Sequence, residues 1–198
     1  MNCSENRNSG GFTLVELLVS MGIGMVVLAA VSTTFMSQVR FYSAQEQVNE
    51  MEQNARGALD IITRELKMAG YNPKSFSFSG VTYSTSQLLI QADLNADDSI
   101  STSSSANEQI TYTYDNANKQ IKRALGNGTA QVLADNITAF TFSYLNSIGA
   151  AETTTANIRQ VSISITAQTA KRDPQYTANG GYRTYQVTAT ITPLNLAL

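Results

Sequence analysis

The sequence predicts an α+β protein. One long N-terminal helix, apolar enough over its first half to span a membrane, packs by its second half on an antiparallel β-sheet head. Three observations predict this. A nearly uncharged apolar run fills residues 12–36. A three-and-four-residue apolar repeat then continues to about residue 69. After Pro73 the chain turns to short alternating segments rich in Ser, Thr, Asn and Gln.

The chain has 198 residues, enough for one domain and an extension. Charged residues make up 14 % and the net charge is −2, which argues against a non-specific nucleic-acid binder. There is no histidine, so the commonest general base and metal ligand are missing. The one cysteine, Cys3, allows no intramolecular disulfide and no cysteine metal cluster.

The first element is carried by "GGFTLVELLVSMGIGMVVLAAV", residues 10–31. From Phe12 to Val39 the only charged residue is Glu16. The core from Leu17 to Met36 matches the ~20 residues that cross a bilayer as a helix. A charge in hydrocarbon costs roughly 2.5–3.5 kcal/mol on insertion scales, so Glu16 calls for a partner. None lies within the segment, which leaves another subunit or a chain terminus. A secretory signal peptide is opposed by the leader, which holds one Arg and one Glu, and by Leu28 where a small residue is wanted for cleavage. A plain single-pass anchor leaves Glu16 and the glycine pair unexplained.

"GFTLVELLVSMGIGMVVLAAV" resembles the class III, prepilin-type signal of type IV pilins and type II secretion pseudopilins. The resemblance implies cleavage on the cytoplasmic side by a prepilin peptidase between Gly11 and Phe12. It also implies N-methylation of Phe12, with Glu16 as the fifth residue of the mature chain. In a filament the Glu16 carboxylate of one subunit would then neutralise the Phe12 amine of its neighbour. That attraction strengthens in a low-dielectric core, and an unpaired buried charge disfavours wrong stacking. Gly22 and Gly24 would permit close helix approach. Two residues depart from the pattern: the leader is poor in Lys and Arg, and Thr33 stands where major pilins carry a helix-kinking proline.

The second half of the helix is read from Val48, Met51, Ala55, Leu59, Ile62 and Leu66, which share one face. Glu52, Arg56, Asp60 and Arg64 form a flanking ladder, in the favourable order for pairs four apart. "AGYNP" supplies the stop through Gly70 and Pro73. A helix from Phe12 to Ala69 would span ~85 Å at about 1.5 Å per residue.

The head is read from four segments. "EQITYTYDNANKQIKRAL" is a hairpin turning at residues 115–118, while "ITAFTFSY", "VSISITAQ" and "TYQVTATIT" alternate apolar with polar. Pro174 and Asn179-Gly180-Gly181 mark a long loop between the last two. One-sided strands suit an antiparallel sheet covered on one face by the helix. The stretches "QEQVNEMEQNARGALDIITRELKMAGYNP", "YTYDNANKQIKR" and "YRTYQVTATITPLN" resemble the PilW-like minor pilins and the related J-type minor pseudopilins. This implies the type IV pilin fold.

One cation site is a candidate. "DLNADDS" places Asp93, Asn95 and Asp97 at alternate positions of a tight loop, as at the start of a calcium loop. Asp98 stands in place of the turning glycine, and Glu108 lies too far along for the standard loop. The plain alternative is a polar turn after the strand "QLLIQA". No nucleophile motif such as G-x-S-x-G occurs, so no enzyme is expected. Lys119, Lys122, Arg123 and Lys171-Arg172 come nearest to a basic cluster, and no nucleic-acid partner is expected.

The sequence thus implies a leader over 1–11, a transmembrane or filament-core helix over 12–36, an amphipathic continuation over 37–70 and a β-rich head over 71–198. The expected function is that of a minor pilin, with a type II secretion minor pseudopilin or a membrane-anchored periplasmic binding module as the alternatives. The expected partners are prepilin peptidase, other pilin subunits, the inner-membrane assembly platform and membrane lipid. The expected location is the inner membrane with a periplasmic head, then the pilus or pseudopilus. No cofactor beyond the candidate calcium is expected.

Overall fold

The computed structural model describes residues 11–196. Cys3 and the leader expected over 1–11, apart from Gly11, lie outside them. The chain divides into two units between Gln45 and Glu46. Helix α1, Leu14–Lys67, supplies the first unit and opens the second.

In the first unit Thr13 caps the helix: the Glu16 N–H donates to Thr13 Oγ1 at 3.3 Å. A Thr followed three residues later by Glu is a helix-start signature, and it places an acid in the first turn, where the helix dipole favours it. Every large apolar side chain from Phe12 to Tyr42 is more than half exposed. The hydroxyls inside this run are satisfied locally. Ser20 donates to Leu17 O at 2.9 Å, Ser32 to Leu28 O at 2.8 Å, and Thr33 and Thr34 to Ala30 O at 2.9 Å. A segment meant for apolar surroundings must bond its polar groups within itself.

In the second unit the predicted stripe is inside. Met51, Ala55, Ala58, Leu59, Ile62 and Leu66 are buried, and Val48 is half-buried against them. Ile62 and Leu66 are fully buried, each worth about 1.5–3 kcal/mol relative to exposure. The helix stops at Lys67, two residues before the expected Ala69. Gly70 takes the left-handed φ of 78°, and its N–H donates to Gln91 O at 2.9 Å. A Cβ added to Gly80 would lie 2.2 Å from Gly70 N, so this crossing needs glycine.

The strands are β1 Val81–Thr82, β2 Gln87–Gln91, β3 Gln109–Asp115, β4 Gln120–Leu125, β5 Gln131–Ala134, β6 Ile137–Leu145, β7 Gln160–Gln168 and β8 Thr184–Ile191. The expectation of one sheet is corrected, since there are two, both antiparallel. β1 to β5 form a five-stranded meander, and β6 to β8 form a three-stranded one. The division falls at Asp135-Asn136. Asn136 turns the chain with φ 56°, and the Ile137 N–H donates to Lys119 O at 2.9 Å. β6 then pairs along its length with β7. Both sheets nevertheless close one core with the helix. Leu88, Ile90, Tyr112 and Ile121 come from the first sheet, and Val161, Ile163, Ile165 and Ile191 from the second. The other face of the second sheet is polar, with Thr188 bonded to Ser164 at 3.1 Å and Thr190 to Ser162 at 3.2 Å.

Candidate functional site

The N-terminal segment is the first candidate, since it carries the residues read as processing and assembly determinants. Gly11 precedes the helix, and an added Cβ there would meet nothing within 4 Å. The same holds at Gly22 and Gly24. No packing among the described residues therefore requires these glycines. Among the described residues the Glu16 carboxylate has no hydrogen-bond or ion-pair partner. The surrounding 18-residue window has a mean hydropathy of 2.4, and the helix is long and apolar enough to cross a membrane. The arrangement is a greasy rod bearing one negative charge near its start, with its capping satisfied by Thr13.

The predicted ladder is present: Glu52 pairs with Arg56 at 3.6 Å and Asp60 pairs with Arg64. These pairs are exposed, so each contributes little. The ion pair that fastens the helix to the sheet involves Glu65, which sequence periodicity places merely on the flank of the stripe. Glu65 Oε1 accepts from Arg123 Nη2 at 2.6 Å and from Nε at 3.0 Å, and the Tyr112 hydroxyl donates to Oε2. Tyr112 and Arg123 are opposite each other across β3 and β4, so strand register assembles the triad. Burial, then the bond to Glu65, pushes the Tyr112 hydroxyl above its ordinary range. The bond to Glu65 raises the Arg123 guanidinium. Glu65 and Arg123 line one wall of a cleft of about 230 Å³ with Met68, Ile90, Leu94 and Ile110.

The fold does not gather the five basic residues into one free patch. Lys122 pairs with Asp115 at 2.7 Å, and Arg123 is held by Glu65. Lys119 reaches Gln168 Oε1 at 3.2 Å and lies over the Tyr182 ring.

The 93–99 loop follows β2. Asp93 is fully buried, and its Oδ1 accepts the N–H groups of Ala96 at 2.8 Å and Asp97 at 3.3 Å. Asn95 Oδ1 accepts the Asp97 N–H at 3.0 Å. Asp97 Oδ1 accepts the Ser99 hydroxyl at 2.7 Å and its N–H at 2.9 Å. The Ser99 and Asn95 side chains hold the Asp97 carboxyl below its ordinary range. Ala96 and Asp98 take left-handed φ values of 61° and 65°. The residue missed by counting along the chain is Glu108, which is 1 % exposed. Its Oε1 accepts the Asn95 N–H at 3.2 Å and its Oε2 the Ser101 N–H at 2.8 Å. Pairing of β2 with β3 brings it there. Among the described residues no three carboxylates form a ready-made metal cluster.

A family profile described as prepilin peptidase-dependent protein B matches residues 44–192, covering the second half of the helix and nearly all of the head. A second, described as the prokaryotic N-terminal methylation motif, matches residues 6–32. No curated protein matches the chain at a significant level. Among solved structures, a type IV-like pilin of Thermus thermophilus, TTHA1219, aligns at 12 % identity and a TM-score of 0.45. The alignment covers 71 % of this chain and 95 % of that one.

Proposed function

The chain belongs to the prepilin peptidase-dependent protein B family and carries the N-terminal methylation motif, and from that premise we propose that it is a minor pilin of a type IV pilus. In this reading prepilin peptidase cuts after Gly11 and methylates the Phe12 amine. The helix anchors the precursor in the inner membrane with the head in the periplasm. The subunit then passes through the assembly platform into the filament, where Glu16 faces the Phe12 amine of a neighbouring subunit. The protein acts by assembly and not as an enzyme.

One observation carries the reading. Every large apolar side chain from Phe12 to Tyr42 is more than half exposed, while the Glu16 carboxylate among them has no partner in the described chain. Lipid can cover the apolar side chains, whereas the carboxylate calls for a cation such as the N-terminal amine of another subunit. A filament core built from copies of such helices supplies both.

The test is an intact-mass and N-terminal analysis of the protein from its native membrane, for the wild type and Gly11→Ala. The expected mature chain begins at N-methyl-Phe12, and Gly11→Ala keeps its leader. A wild-type chain beginning at Met1, or cut near Ala30, would overturn the reading. Recovery in sheared surface pili, against retention with a secretion machinery, separates a minor pilin from a minor pseudopilin.

A further inference from the structure

We propose that the 93–99 loop is a calcium site of the head, with Asp93, Asn95 and Asp97 as its side-chain ligands and Glu108 as the buried residue that positions its backbone. The proposal is independent of the filament reading and would stand without it.

The decisive observation is an orphan. Asp93 is 0 % exposed; its Oδ1 is bonded to two loop amides, and its Oδ2 has no hydrogen-bond partner among the described residues. Buried carboxylate oxygens are ordinarily satisfied, because leaving one bare forfeits its hydration with nothing in return. Both oxygens belong to one carboxylate, so the bare Oδ2 lies beside the Oδ1 that accepts the Ala96 and Asp97 amides.

A second buried carboxylate sharpens the case. Glu108 bonds the Asn95 N–H, and Asp93 bonds the Ala96 N–H. Adjacent amides thus tie two buried acids to one turn of chain. No ion pair reaches either acid among the described residues, and the nearby Lys74 is taken by Asp98 at 3.5 Å. A cation among the loop's oxygens would give the bare Asp93 Oδ2 the partner that a buried carboxylate oxygen ordinarily has.

The donor set selects the ion. Carboxylates and a side-chain amide are hard oxygen ligands, suited to calcium or magnesium. Asp98, at the position where a calcium loop carries its turning glycine, takes the left-handed φ of 65° that the turn requires. Asp97 now leans on Ser99 and on Asn95 Nδ2, at 2.9 Å, so the site closes by swinging these side chains toward Asp93. Such an adjustable, irregular set fits calcium better than magnesium, which demands near-octahedral geometry. With few charged ligands, the affinity should fall in the range of extracellular calcium modules, about 10⁻⁴–10⁻³ M.

The test uses the full chain in detergent micelles, freed of metal by chelator. Calcium and magnesium are titrated separately by calorimetry and by thermal unfolding. One saturable calcium site is expected, with a Tm rise of about 1–6 °C at millimolar calcium and at least tenfold weaker magnesium binding. Asp97→Asn keeps an acceptor oxygen at an exposed position, so it should lower the metal-free Tm only slightly and weaken calcium at least tenfold. Asp93→Asn should weaken calcium likewise where it folds, and Asp60→Asn should leave calcium binding unchanged. Absence of a saturable calcium effect, an equal effect of magnesium, or wild-type calcium binding by Asp97→Asn would each overturn the proposal.

Discussion

Glu65, near the end of helix α1, holds Arg123 of β4 through two nitrogens, at 2.6 and 3.0 Å, fixing the helix against the sheet. Both side chains are mostly removed from water, at 20 % and 25 % exposure. A planar guanidinium gripping a carboxylate this way sets rotation and register as well as distance. The Tyr112 hydroxyl joins the same carboxylate.

Removing both partners should therefore cost less than the sum of removing each. Arg123→Ala leaves Glu65 partly buried with only Tyr112, and a loss of about 2–4 kcal/mol is expected. Glu65→Ala should cost a similar amount. The double variant should be less destabilised than the sum of the two by about 1–2 kcal/mol. Urea unfolding of the four proteins of this cycle measures it, and strict additivity would show that the pair does not fasten the helix.

Alkaline pH should loosen the head, and the sign follows from the tyrosines. Burial pushes the Tyr144 hydroxyl from 10.0 up to about 12, and burial with the Glu65 bond pushes Tyr112 up as well. Below pH 10 both states keep these protons and stability is complete. As pH rises from 10 toward 12, the unfolded chain sheds them and the folded one does not, so stability falls. Tyr144→Phe should flatten that fall by about 2 kcal/mol across the interval. Thermal unfolding of wild type and variant at stepped pH checks this, and an unchanged slope would refute it.

Much of this fold is legible in the sequence. The stripe from Met51 to Leu66 is buried as its spacing requires, and the three later alternating runs become β6, β7 and β8 within about a residue of their expected ends. The failures share a cause, which is contact between residues far apart in the chain. Glu65 meets partners 47 and 58 residues away, so helical spacing marks it as flank. Glu108 is too distant for a calcium loop when counted along the chain. Yet the Ala92 N–H bonds Glu108 O at 2.9 Å, because β2 and β3 pair. The division into two sheets depends on Asn136 taking a left-handed turn, and an Asp-Asn pair after a four-residue strand gives no warning of it.

The crossing of Gly70 and Gly80 should tolerate no side chain. A Cβ at Gly80 would sit 2.2 Å from Gly70 N and 2.4 Å from its Cα, both backbone atoms that cannot swing aside. Gly80→Ala should destabilise the head by about 2–3 kcal/mol or more through forced backbone shifts. Gly57→Ala, where an added Cβ meets nothing within 4 Å, should be neutral or mildly stabilising in mid-helix. Similar Tm values for the two variants would contradict the geometry.

Glu16 has two separable roles, because its backbone N–H takes the Thr13 cap while its side chain has no partner among the described residues. The N–H bond to Thr13 Oγ1 at 3.3 Å survives Glu16→Gln, and only the charge is lost. If charge complementarity sets filament register, Glu16→Gln should be cleaved and methylated normally but recovered in sheared filaments at no more than about a tenth of the wild-type level. That tenfold loss corresponds to about 1.4 kcal/mol in the assembly equilibrium, below what an unpaired buried charge can cost. Thr13→Val removes the capping acceptor and keeps the carboxylate, so it should lower helix stability slightly and leave incorporation near wild type. Immunoblots of membrane and filament fractions, with masses of the mature N-termini, compare the two. If Thr13→Val fails to assemble and Glu16→Gln assembles normally, the requirement at this end is the helix start and not the charge.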